Sequence, residues 1–81
     1  MILVDVYIPA VEQMYDFRLE ETCCPDVIIG EICEMVEQRE QILPSETSRL
    51  LLFDASMHRM LPCDRTLWES RVTDGHLLIL V

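Results

Sequence analysis

Residues 76–81 (HLLILV), entered through Asp74-Gly75, are apolar on both of their alternating faces. Successive side chains of a strand point to opposite sides of a sheet, so a strand without a polar side belongs where both sides are covered. Residues 1–8 (MILVDVYI) carry the same constraint less strictly. Ile2, Val4, Val6 and Ile8 share one face, and Leu3, Asp5 and Tyr7 form the other, outward set. Two such strands suit neighbouring central positions in one sheet, and everything between them must then serve as their crossover.

The intervening chain fits that task. Pro9-Ala10 breaks the first strand, and residues 13–20 (QMYDFRLE) alternate again, with Tyr15, Phe17 and Leu19 on one side and Asp16 and Arg18 on the other. The short separation predicts a hairpin. A helix is predicted from Pro25 to about Arg39-Glu40. Proline at the first helical position loses no needed donor, and Asp26 suits the positive end of the dipole. Pro25, Ile28, Ile29, Ile32, Met35 and Val36 fall on one arc at helical spacing, with Cys33 on its flank as a small core residue. Asp26, Glu31, Glu34, Glu37 and Gln38 occupy the opposite arc, together with Gly30. Residues 41–48 read as a loop with Ile42 and Leu43 tucked inward. Residues 49–54 form a third strand, 57–61 a short fourth ended by Pro62, and 67–72 a connector to the last. The expected order is ββαβββ, a single α+β domain over residues 1–81, with one helix covering a mixed sheet of four to five strands.

Composition narrows function before any motif does. The chain has 15 acidic residues against 6 basic ones, all arginine, for a formal charge of −9. That balance repels nucleic acid phosphates and anionic lipid. Residues 1–40 hold 10 of the acids, so a basic protein surface would be steered toward that half. The apolar runs are far too short to span a bilayer, and no basic residue precedes the first of them as a secretion signal would require. The reading is a cytoplasmic chain whose four cysteines stay reduced.

Arg49-Leu50-Leu51-Leu52, then Arg65-Thr66-Leu67, then Val72–Leu80 resemble the third strand, the connector and the last strand of ubiquitin. Ile42-Leu43-Pro44 is similar to the turn after the ubiquitin helix. The chain thus looks like a ubiquitin-like β-grasp protein over nearly its whole length. Asp16-Phe17-Arg18-Leu19 and the closing Gly75–Leu80 are more similar still to the small bacterial proteins of the YukD/EsaB type, which accompany type VII (WXG100) secretion systems. That resemblance implies a cytosolic accessory protein that binds secretion components, such as a secretion ATPase or a membrane component, and supplies no catalytic residue. The sequence departs from ubiquitin in reaching Val81 without Gly-Gly and in having no lysine. Both departures favour a non-conjugated binding module over a covalent modifier or sulfur carrier.

The candidate site is the outer sheet face. If Leu50 and Leu52 point toward the helix, Leu51 points away; if Leu77 and Ile79 point in, Leu78 and Leu80 point out. Leu3, Tyr7, Leu51, Leu78 and Leu80 are therefore the expected partner-binding residues, matching the place of the apolar patch of ubiquitin, for a foreign protein or a second copy. The alternative is a small redox or carrier protein using Cys24, whose thiolate the helix N-terminus would favour; Cys23-Cys24 forms no C-x-x-C motif. Cys23, Cys24, Cys33, Cys63, His58 and His76 lack the paired spacing of a zinc site, and His58 and His76 are expected in solvent. Ser45, Ser48, Ser56 and Ser70 lack a nucleophile elbow, and no Asp-rich calcium loop is present. No cofactor, metal or catalytic residue is expected. Trp68 is expected to pack over one end of the core.

Overall fold

Burial at period two runs the length of β1 (Ile2–Ile8): Ile2, Val4, Val6 and Ile8 are buried, while Leu3, Asp5 and Tyr7 face the other way. The computed structural model describes residues 1–40 and 50–81. β1 turns back through Pro9–Glu12, where the Val11 amide donates to the Ile8 carbonyl and Glu12, at φ 52, to that of Pro9. β2 (Gln13–Leu19) then pairs antiparallel with β1, Ile2 opposite Leu19 and Ile8 opposite Gln13. Tyr15 and Phe17 are half-buried on the same side as fully buried Leu19, and their rings meet edge-on at 6.1 Å.

The helix α1 spans Pro25–Glu40, as the proline and the apolar arc predicted. It buries Pro25, Ile28, Ile29, Ile32, Cys33 and Val36 and exposes Asp26, Gly30, Glu31, Glu34, Glu37 and Gln38. Each fully buried isoleucine or valine contributes about 1.5–3 kcal/mol by leaving water. The helix thereby supplies a large part of the driving force of a core completed by Leu52, Leu61, Leu67, Val72, Leu78 and Leu80.

The remaining strands are β3 (Leu52–Asp54), β4 (Arg59–Met60) and β5 (Leu77–Leu80). All five form one mixed sheet in the order β2-β1-β5-β3-β4. The expected juxtaposition of first and last strands is present: β1 and β5 lie parallel, with Asp5 beside Leu77 and Tyr7 beside Ile79. β3 and β4 are shorter than expected. Leu51 nonetheless continues the β3–β5 ladder, exchanging two backbone hydrogen bonds with Val81 at 2.6 and 2.9 Å. The loop expected at 41–48, with Ile42 and Leu43 inward, lies outside the described residues, as does Arg49.

One expectation is overturned. Leu78 and Leu80 are buried, at 0% and 3% exposure, while Leu77 and Ile79 take the outer face. A strand apolar on both sides carries no phase of its own. Its neighbours set it. Leu80 pairs with Leu52 and Leu78 with Asp54, both inward residues of β3. Trimming either side of β5 is expected to show this phase in denaturant melts. Leu78→Ala should cost about 2–5 kcal/mol as a cavity in a closed core, and Ile79→Ala well under half of that. Equal losses would contradict the assignment.

Candidate partner-binding face

The sheet turns one side to the helix and leaves the other uncovered among the described residues. On that side the strand registers align Met14 with Tyr7, Tyr7 with Ile79, Ile79 with Phe53 and Phe53 with Met60. One apolar row therefore crosses all five strands, about 19 Å at the usual strand spacing. Met14 and Met60 at its ends are 53% and 45% exposed, and the three between are half-buried. Leu3, Leu51, Leu77 and Val81 widen it on either side. Of the five residues expected on this face, Leu3, Tyr7 and Leu51 are there; Leu78 and Leu80 belong to the core. Sequence reasoning missed Met14, Phe53, Met60, Leu77, Ile79 and Val81. The signal for Phe53 was present, since alternation from an outward Leu51 carries it to the same side.

Beside the row lie two carboxylates. Asp5 stands directly opposite Asp16 on the outer face of β1 and β2. The hydrogen bond to Asp16, then partial desolvation, then repulsion by the Asp16 charge hold the Asp5 carboxyl above the ordinary aspartate range. Arg18, two residues along, pairs across the strands with Leu3.

At the end of the sheet a buried polar cluster locks β5 in phase. Asp54 is fully buried, and its Oδ2 lies 2.9 Å from His76 Nδ1 while its Oδ1 accepts from the Met57 amide. His76 Nε2 lies 3.1 Å from Thr73 Oγ1. The expectation of a solvent-exposed His76 is therefore corrected; the ring is needed inside to answer a carboxylate that burial would otherwise leave unpaired. His58 is exposed, in the turn before β4 at φ 55. The order carboxylate–imidazole–hydroxyl matches that of hydrolytic triads. Here, however, two of the neighbouring backbone donors are taken: Gly75 N–H by the Leu3 carbonyl and His76 N–H by that of Thr73. These N–H groups serve no oxyanion, and the cluster works as a staple between β3 and β5.

The helix N-terminus and the connector form the other end. The Cys24 carbonyl accepts from Val27 and Ile28 as the first turn begins. Its half-buried thiol is pushed up by desolvation, then by Asp26, Glu69 and Asp64, and by Cys23. Desolvation and these acids both act against the thiolate that the redox alternative relied on. Thr66 and Glu69 form a reciprocal capping box, Glu69 N–H to Thr66 Oγ1 at 3.1 Å and Thr66 N–H to Glu69 Oε1 at 3.0 Å. The Thr66 backbone N–H, then the Thr66 side chain, hold the Glu69 carboxyl below its usual range. The turn closes at Arg71, a left-handed residue at φ 61, with Val72 N–H bonded to the Leu67 carbonyl. Leu67 and Val72 are buried by this turn, but Trp68 projects from it 72% exposed. The expectation that Trp68 packs over the core is thus corrected. It borders a cleft of about 260 Å³ with Arg71, Val72 and Thr73.

Two outcomes follow from these electrostatics. Asp16→Asn removes a like charge facing Asp5. A carboxyl whose folded-state pKa is raised loses stability as pH climbs from the unfolded value through the folded one. The variant should therefore melt higher than the parent at neutral pH, with the gap closing under acid; a gap that persists or grows as pH falls would be inconsistent. In a Cys23→Ser background, Cys24 should alkylate more slowly than free cysteine at mildly alkaline pH, by mass-spectrometric timing. A faster reaction would restore the redox alternative.

No protein-family model matches the chain, and no curated protein matches it. Solved structures do. The chain is similar to the ubiquitin of Caldiarchaeum subterraneum, with TM-score 0.73 and 16% identity over 98% of this chain and 89% of that one. It is similar to a ubiquitin-like domain of an Arabidopsis thaliana protein, with TM-score 0.72 and 20% identity over 99% and 74%. It also resembles a de novo protein designed on ubiquitin, with TM-score 0.66 and 16% identity over 99% and 85%. With one helix on a mixed five-stranded sheet, the fold is the α+β ubiquitin-like β-grasp.

Proposed function

We propose that this chain is a ubiquitin-like protein-interaction module, neither catalytic nor conjugated, that docks a partner on the outer sheet face. The apolar row Met14–Tyr7–Ile79–Phe53–Met60 is the observation that carries the reading. A contiguous apolar surface of this kind marks an interface more often than it decorates a monomer. Its composition fits as well. Tyr7 and Phe53 offer rigid aromatic anchors near the centre, and the methionines at both ends adapt to a partner's shape.

The setting we favour is the cytosol of a bacterium, where the chain serves a type VII secretion system and binds a secretion ATPase or a membrane component. The short resemblances at residues 16–19 and 75–80 support this, and gene neighbours encoding WXG100 proteins would strengthen it. No helix among the described residues is long and apolar enough to cross a membrane. Lysine-linked conjugation onto this protein is not possible, because it has no lysine. Self-association through the same face is the competing use, and sedimentation of the isolated chain tells the two apart.

Affinity capture with the purified chain tests the site. Ile79→Glu and Met60→Glu should each lower retention of the secretion component at least tenfold, or about 1.4 kcal/mol. Glu34→Lys on the helix face away from the sheet should leave it unchanged. Undiminished retention by both sheet variants would remove the face from consideration.

A further inference from the structure

We propose that the partner taken by this face brings a guanidinium or ammonium group that seats between Asp5 and Asp16. Its adjoining apolar side chains would lie on Tyr7, Leu77 and Ile79. The inference rests on the docking reading above and adds the chemistry of the occupant.

Geometry places the pair at the site. Asp5 faces Asp16 across β1 and β2, has Leu77 beside it on β5, and precedes Tyr7 of the apolar row by one outward position. Like charges directly opposite one another weaken a sheet, so the arrangement is a cost to folding. Among the described residues no cation is paired with either carboxylate, although Arg18 stands two residues along the same face of β2. Met1 pairs instead with Glu21, and the His76 ring is engaged by Asp54. A planar guanidinium can bridge two neighbouring carboxylates with paired, charge-assisted hydrogen bonds and relieve the repulsion on binding. Charge complementarity at longer range points the same way, because a chain of formal charge −9 draws cationic surfaces toward it. A second copy is the poorer occupant. It would bring the same two carboxylates and the same net charge to the contact.

The test uses small probes of one shape and three charges: phenylbutyl guanidinium, the matching neutral amide and the matching carboxylate, titrated into nitrogen-labelled chain at neutral pH. The guanidinium should move the amide resonances of Asp5, Tyr7, Leu77 and Ile79 saturably, with the neutral probe roughly tenfold weaker and the carboxylate weaker again. An Asp5→Asn, Asp16→Asn double variant, folded by its resonance dispersion, should bind the guanidinium no better than the amide. Equal binding of cation and amide, or an unaffected double variant, would overturn the inference while leaving the docking face in place. Absence of any movement on the face by all three probes would remove both. Movement of the same resonances with protein concentration alone would assign the face to a second copy and reject the cationic occupant.

Discussion

The structure depends on the insertion of β5 between β1 and β3. Until that strand is in place, β1 has only its hairpin partner and β3 only the short β4. The parallel half of the contact demands a crossover, and the chain spends its helix and most of its loops on that connection. Backbone bonds at the entry show how the insertion is guided. Gly75, at φ 85, donates to the Leu3 carbonyl, Asp74 Oδ1 accepts from the Leu3 amide, and Asp5 donates to the His76 carbonyl. A glycine is needed there because the left-handed backbone strains any other side chain.

Insertion alone leaves the strand's phase open, and phase decides function. One residue of slip would turn Ile79 into the core and Leu78 to solvent. The Asp54–His76 pair works against that slip, since a buried carboxylate would lose its partner. The interior staple therefore also fixes the composition of the outer surface. With His76, Leu78 and Leu80 inside, the odd residues Leu77, Ile79 and Val81 join Tyr7, Phe53, Met14 and Met60 outside.

Much of this was legible in the sequence where a residue type has one physical use. Pro25 and the isoleucine arc marked the helix, the alternation of β1 marked its faces, and strands apolar on both sides marked central neighbours. The outward Leu3, Tyr7 and Leu51 followed from the same period. What escaped was information held between strands. Leu77–Leu80 is apolar at every position, so only the pairing of Leu80 with Leu52 reveals which side is which. The role of His76 was hidden because its partner lies 22 residues away. Trp68 was misplaced because an indole in an apolar connector reads as core, whereas a capping box and a left-handed Arg71 tilt it into solvent.

The outer face departs in charge from what an apolar patch alone would imply, with a carboxylate pair at its margin and a strongly acidic chain behind it. All of this rests on which side of β5 meets water. Relaxation of methyl resonances by a soluble, uncharged paramagnetic agent reads that side directly. Ile79 and Leu77 methyls should relax strongly, with Leu78 and Leu80 protected like Val6 and Ile32. Strong relaxation of Leu78 and Leu80 with a protected Ile79 would contradict the fold's phase and the binding face built on it.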